Sequence, residues 1–289
     1  MTDVGDADSA SPCLALDSGG TKVEAAIVSA DGSLVRHKRV NVAEHTPDLF
    51  DAIVTLARRV LGDHEVNVVG VGCAGPMTRG GGTVSPLNIP SWREFPLRQS
   101  LRDALGLDAF VDGDARALAL AEGQYGAARD VTSNLSMVVS TGVGGGIVLN
   151  GQLLDGESGN AGHVGHLTVV ANGALCSCGA YGCLEAEASG WAIEARTGRP
   201  AREADQATRL RTGELVGRAV GMLSSVLDFR HGYVAGSVPS ATVTISLPRQ
   251  RRPRATRQSC PTRTTSRYCR RNSAGTDRSS VRRSWDGEV

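Results

Sequence analysis

Lysine is nearly missing from this chain: among 31 basic residues only Lys22 and Lys38 are lysines, and the rest are arginines. That bias follows the codons of a GC-rich genome and carries little functional meaning. Aromatic residues are scarce too, at 4% of the 289 residues, while glycine is abundant at 36. The pair points to many tight turns and close backbone approaches. No run comes near the roughly 18 apolar residues of a membrane-crossing helix. The opening MTDVGDADSASP is polar and acidic, without an apolar h-region. The expectation is a soluble, cytoplasmic protein with no membrane partner. Its length suits one large domain or two ordinary ones. The net charge of +1 hides an asymmetry, because twelve arginines stand against three acids from Arg249 onward. An acidic body thus carries a basic tail.

CLALD (13–17) reads as a short buried strand ending in SGGT, and VEAAIV (23–28) and SLVRHKRV (33–40) as strands about the turn Ala30-Asp31-Gly32. A helix is predicted next, with Thr46 as N-cap and Pro47 in the first helical position. Leu49, Phe50, Ile53, Val54, Ala57, Val60 and Leu61 share its one apolar face, and Gly62 ends it. VNVVGVGC (66–73) is a strand breaking at Ala74-Gly75-Pro76. The grammar then repeats. FVDGDA (110–115) is a strand end leading into a helix. LSMVVSTGVGGGIVLNGQLL (135–154) reads as two strands about a glycine turn, with a hairpin at Asn150-Gly151. Two halves, each opening on a hairpin beside a Gly/Thr-rich turn, predict a two-lobed α/β architecture with a cleft between the lobes.

The expected organisation is a disordered N-terminus over 1–12, a first lobe over 13–112, a second over 113–238 and a basic tail over 239–289. Within the tail ATVTISL can form one more strand, but PRQRRPRATRQSCPTRTTSRYCRRNSAG has no apolar period and cannot bury a core. It is either a disordered segment able to bind nucleic acid or an out-of-frame extension around which the fold was not built. The abrupt loss of pattern favours the second, so no nucleic-acid partner is expected.

DSGGTK (Asp17–Lys22) places a strand-ending carboxylate before glycines and a threonine. Such a turn lets backbone N–H groups reach phosphate oxygens while the carboxylate holds Mg2+ through water. Alone, it is equally a plain β-turn. STGVGGGI (Ser140–Ile147) is a second such turn, and together they suit a nucleotide gripped from both sides. Asp114 lies where a strand meets a helix, as a general base facing the cleft or as a cap of that helix. Asp112 reads as a solvated turn acid. Cys176, Cys178 and Cys183 form C-x-C-x4-C, with His166 ten residues ahead. A disulfide is hard to keep in a reducing compartment. Three thiolates and one imidazole instead complete a closed tetrahedral Zn2+ site, with His163 as a rival fourth ligand by spacing. Cys13 and Cys73 read as small core residues.

In their order, DSGGTK, GCAGP, DARALALAE, STGVGGGIVLNGQLLDGESGNAGHVGH and CSCGAYGCLE resemble the ROK family of sugar kinases and repressors, over about residues 13–238. The resemblance implies a two-lobed actin-like ATPase (ribonuclease H-like) fold with an interlobe cleft. It implies a glucokinase-like enzyme that phosphorylates a hexose or related sugar with ATP and Mg2+, and a homodimer, as is common among such kinases. It makes Asp17, Gly19, Gly20 and Thr21 the first phosphate loop and Thr141, Gly142, Gly144 and Gly145 the second. Asp114 becomes the general base. Asn88 in PLNIPSW, His166 and Glu185 become sugar contacts, and His166 joins Cys176, Cys178 and Cys183 as the zinc ligands.

Two departures stand out. The family pattern has Asn immediately before the catalytic Asp and Glu three residues before the zinc His, where this chain has Gly113 and His163. Losing such hydrogen-bond partners costs about 1–3 kcal/mol each unless they are replaced. The sugar is therefore not fixed as glucose, and an inactive sugar-binding relative is the alternative. A repressor of the family would need a helix-turn-helix ahead of the core, and with about twelve residues before the first strand none is expected. The resemblance stops at YVAGSV (233–238), short of the further nucleotide-binding surface and last helix with which the family continues.

Overall fold

The computed structural model describes residues 11–19, 21–44, 48–86, 89–238 and 243–247. Strand β1 (Cys13–Ser18) buries Leu14, Leu16 and Ser18, the period of two expected of a half-buried strand. It pairs antiparallel with β2 (Lys22–Val28), which pairs antiparallel with β3 (Leu34–Asn41). On its other side β1 lies parallel to β4 (Val68–Cys73), and β4 parallel to β5 (Asp108–Gly113). The order is β3-β2-β1-β4-β5. Parallel neighbours need a crossover connection, and α1 (Leu49–Leu61) and α2 (Leu97–Leu105) lie on those crossovers. Helix α1 turns Leu49, Ile53, Leu56, Ala57 and Val60 into the first core, with Phe50 and Leu61 half-buried beside it. Asp48 occupies its N-cap position without a side-chain bond. Thr46 and Pro47, expected to open this helix, lie outside the described residues.

The second sheet repeats the plan. Antiparallel β6 (Asn134–Val139) and β7 (Val143–Leu149) continue into β8 (Gln152–Leu153), and β6 lies parallel to β9 (His231–Ala235). The β7–β8 turn is the predicted Asn150-Gly151, with φ of 52° and 79° at the two residues. Positive φ at both central positions is what a type I′ hairpin requires. ATVTISL supplies β10 (Val243–Ser246), and the order is β10-β9-β6-β7-β8. Here the plan breaks. The edge strand β5 of the first sheet is parallel to its neighbour β4, whereas β10, in the matching place, is antiparallel to β9. Only residues 236–242 join β9 to β10, fewer than the dozen or so a parallel crossover needs.

Helix α3 (Asp114–Gln124) runs against both sheets. A Cβ added at Gly72 of β4 would lie 3.4 Å from the Asp114 backbone, and one at Gly146 of β7 only 2.5 Å from Ala119. Helices α4 (Leu184–Ala188), α5 (Gly190–Thr197) and α6 (Gln206–Leu227) complete the second half, with Leu215, Val216, Ala219 and Val220 of α6 in its core. Among the described residues, no helix is long and apolar enough to cross a membrane.

Candidate active site

Because β1, β4 and β5 are parallel, their carboxyl ends fall together, and a crevice beyond such ends is where open α/β sheets bind ligands. Asp17 ends one of these strands and Asp114 follows another. Gly113 is the N-cap of α3, so Asp114 is its first residue rather than its cap, and Asp114 Oδ1 accepts a hydrogen bond from Ala115 N at 2.7 Å. The Asp17 carboxyl is raised, chiefly by burial, then by the Asp114 and Glu24 charges, against the pull of Lys22. The same surroundings push the Cys73 thiol up to about 12, through burial first and Asp114 second. Two carboxylates thus lie close together at the strand ends, both reached by solvent. In the first turn, Gly19 N donates to Lys22 O at 3.1 Å and Thr21 is exposed. Gly20 and Asn88 lie outside the described residues.

The second turn is shorter than its glycines suggest. Ser140 N donates to Gly142 O at 2.9 Å, which leaves Thr141 and Gly142 at the tip. Gly144 and Gly145 lie inside β7, where missing side chains have a packing reason: added Cβ atoms would meet Ala115 at 2.9 Å and Val164 at 2.8 Å. Glu185 seats beneath the tip, its Oε2 accepting from Val143 N at 2.9 Å. A Cβ on Gly142 would come within 2.7 Å of that oxygen, so only glycine fits there unless the carboxylate moves.

Glu185 is held there by the loop just before it. His166 closes a single turn of 3-10 helix (Val164–His166), and residues 175–183 fold back on themselves, with Cys176 N donating to Ala180 O at 2.8 Å. This brings one ligand atom each from His166, Cys176, Cys178 and Cys183 within 4.8 Å of one another. His166 Nδ1 lies 3.6 Å from Cys176 Sγ, and Cys178 Sγ lies 3.7 Å from Cys183 Sγ. A tetrahedron with metal–sulfur bonds of about 2.3 Å has edges of about 3.8 Å, so the spacing fits a zinc ion. Burial, then the neighbouring thiols, push Cys183 up to about 12. Three thiols this close do not ionise together without a cation between them. His163, the rival ligand by spacing, stands outside this group, its ring centroid 6.1 Å from that of His166. Burial and His166 lower its pKa against the opposing pull of Asp114 and Glu185. Its surroundings thus favour the neutral imidazole, which can donate one hydrogen bond and accept another.

Three residues that the sequence did not single out complete the arrangement. Arg116 binds Asp112 and Asp155. Asn160 makes a two-point bond to the backbone of Met77, with Oδ1 accepting from Met77 N at 3.1 Å and Nδ2 donating to Met77 O at 2.9 Å. Glu187, buried two residues after Glu185, accepts from Ala174 N in the cysteine loop and from Arg211 of α6. Only the Asp112–Arg116 pair carries a readable signal, opposite charges four residues apart.

Burial alone would raise the Glu187 carboxyl, but Ala174 N–H and then Arg211 outweigh it and hold the group below its ordinary 4.5. A carboxyl depressed by folding contributes its full stability above the unfolded value and loses it as the pH falls through the folded one. Glu187→Gln is therefore expected to flatten the acid limb of the stability profile. Thermal unfolding between about pH 5 and pH 3 checks it: the wild-type midpoint should fall more steeply than that of the variant.

Paired hairpin-led sheets, with a helix between them and acids at the strand ends, define the two-lobed actin-like ATPase fold. The solved structure of a ROK family glucokinase from Streptomyces griseus, in complex with glucose and AMPPNP, superposes with a TM-score of 0.70 at 28% identity, over 78% of this chain and 83% of that one. The signature of the ROK family matches residues 13–224, and the chain belongs to that family. It is 33% identical over 180 residues to a glucokinase of Streptomyces coelicolor, covering 62% of this chain and 57% of that protein. It is 35% identical over 255 residues to an N-acetylmannosamine kinase of Haemophilus influenzae, covering 81% of this chain and 83% of that protein. The chain thus spans little more than half the length of the first of these relatives.

Proposed function

We propose that this protein transfers the γ-phosphoryl group of ATP to a hydroxyl of a hexose or related sugar. One observation carries the reading: Asp114 stands at the start of α3 against Gly72, the β4 residue paired with Asp17, on the strand-end side of the fold where both Thr/Gly turns belong. The relatives named above include kinases of two different sugars, which supports the substrate class without choosing glucose. The bound AMPPNP of the Streptomyces griseus enzyme supports ATP as the donor.

In this reading Asp114 accepts the hydroxyl proton as the sugar oxygen attacks the γ-phosphorus in line and ADP departs. Backbone N–H groups of the turns at Gly19 and Gly142 bind the phosphate oxygens. Asp17 would hold Mg2+, which when bound offsets charge on those oxygens; the raised, crowded carboxyl fits a cation partner. His166, Cys176, Cys178 and Cys183 would hold Zn2+, a closed site that fixes the loop and leaves no position for a reacting water. His166 and Glu185 face the sugar from that loop. His163 offers a donor and an acceptor where the family pattern has an acceptor alone, so the sugar is not fixed as glucose.

The test is sugar-dependent ADP release from folded, zinc-loaded protein, across glucose, mannose, fructose, N-acetylmannosamine and N-acetylglucosamine. Release that requires one of these sugars is the expected result. Sugar-dependent stabilisation without ADP release would overturn the proposal in favour of a sugar-binding relative.

A further inference from the structure

Arg116 is the basic side chain nearest in sequence to Asp114, two residues further along the same helix, and only 7% of it is exposed. A buried guanidinium close to a reacting phosphate invites the assumption that it binds phosphate. The hydrogen bonds say otherwise. Its five N–H donors meet five acceptors: Nε meets Asp112 Oδ1 at 2.5 Å, Nη1 meets Leu154 O at 2.6 Å and Ala161 O at 3.3 Å, and Nη2 meets Asp112 Oδ2 at 3.3 Å and Asp155 Oδ1 at 2.5 Å. An arginine has five donors in all. None remains for a ligand.

What the guanidinium holds is the segment 154–163. Leu154 O and Ala161 O lie near its two ends, and Asp155 adds a charged contact. The same segment reaches the other half of the molecule through Asn160 on Met77. It then delivers His163 and runs on into His166. The stem of Arg116 fills the space in front of Gly113: a Cβ there would lie 3.3 Å from Arg116 Cδ and 3.7 Å from Cγ. At that distance the neighbour must yield by a few tenths of an ångström. A stem whose guanidinium has every donor engaged yields only at the expense of the geometry of those five bonds.

We propose that Arg116 is a positioning residue that clamps the 154–163 segment to the start of α3, and so sets where His163 stands relative to Asp114, and that Gly113 is the opening that admits it. The missing side chain at 113 is then one half of a matched pair rather than a loss. Removing the clamp should harm the sugar side of the reaction and spare the nucleotide side. The kinetic half of this inference rests on the proposed kinase activity; the clamp itself does not.

The experiment compares Arg116→Ala, Arg116→Lys, Gly113→Asn and the double variant Gly113→Asn/Arg116→Ala. By hydrogen exchange, amides of 154–163 in Arg116→Ala should exchange at least about tenfold faster, while those of β6 and α6 keep their wild-type rates. By kinetics, kcat/KM for the sugar should fall about 10–100-fold in each single variant, the loss expected of a misplaced contact, with KM for ATP within about twofold of wild type. Lysine should not rescue, because one ammonium cannot replace a five-donor fork. The double variant should be no worse than either single one, since both act through the same stem. Unchanged exchange over 154–163 would overturn the clamp whether or not the protein turns over sugar. Additive losses, or a KM for ATP rising in step with that for sugar, would overturn the positioning role. A wild-type protein that releases no ADP but shows the expected exchange would sink the proposed activity and leave the clamp standing.

Discussion

Asp114→Asn is expected to lower sugar-dependent ADP release by about 10²–10⁴-fold, the usual contribution of a positioned general base. Asparagine keeps an oxygen that can accept from Ala115 N, so the start of α3 should hold its shape. It cannot take up the proton. The loss should therefore appear in kcat, while sugar-dependent thermal stabilisation and zinc content stay at wild-type values. The substitution also removes one of the charges that raise Asp17, so that carboxyl should ionise at lower pH than in the wild type. Parallel measurement of turnover, sugar binding and metal content checks the assignment. A variant that retains more than about a tenth of wild-type turnover would move the base elsewhere.

Cys183→Ser is expected to have the largest effect on stability. The thiol is fully buried, lies 3.7 Å from Cys178 Sγ, and precedes the first residue of α4. Structural zinc binds small peptides with about 10–16 kcal/mol of apparent free energy. If even a third of that is folding free energy here, about 3–5 kcal/mol is lost, and unfolding shifts down by about 6–20 °C. One zinc per chain should be lost with it, as measured by elemental analysis. Cys178 is exposed where Cys183 is buried, so Cys178→Ser should lose metal affinity with a smaller fall in unfolding temperature. Glu185 follows this loop directly, so metal-depleted wild-type protein should bind sugar more weakly. Wild-type unfolding that is indifferent to chelator would remove zinc from the account.

The fold was legible wherever one face of an element is apolar and the other is not. The helix at 49–61, the hairpins and the Asn150-Gly151 turn all carry such local signals, and the repeat of hairpin beside glycine turn revealed the two halves. Helix α6 gave no such signal despite its length. Its buried stripe includes the polar Thr212 and Ser224, while Gly213 and Gly217 lie exposed on the outer side, so the two faces differ little in hydropathy. Tertiary packing makes that helix, and a single sequence does not show packing. In the site, the cysteine spacing led directly to four converging ligand atoms, and the strand-to-helix junction led to Asp114. The glycine run at 142–146 misled in part: its first member is at a turn, whereas Gly144 to Gly146 are strand positions emptied for α3 and for Val164. Glu187 and Asn160 were invisible because their partners lie far away in sequence, and for Arg116 only the Asp112 half of its contacts was readable, since Leu154, Asp155 and Ala161 are brought to it by the folded chain.

Helix α3, wedged between the sheets, has a mechanical meaning. When two plates turn about a spindle caught between them, their rims travel far while the spindle hardly moves. Glycines at 72, 144 and 146 let both sheets press close to this spindle, and Asp114 sits on its end. Opening and closing of the halves would sweep the turns and the zinc loop through the largest arcs. Asp114, near the axis, would stay almost still, so if it is the proton acceptor proposed above, ligands could enter and leave without its place being rebuilt each time.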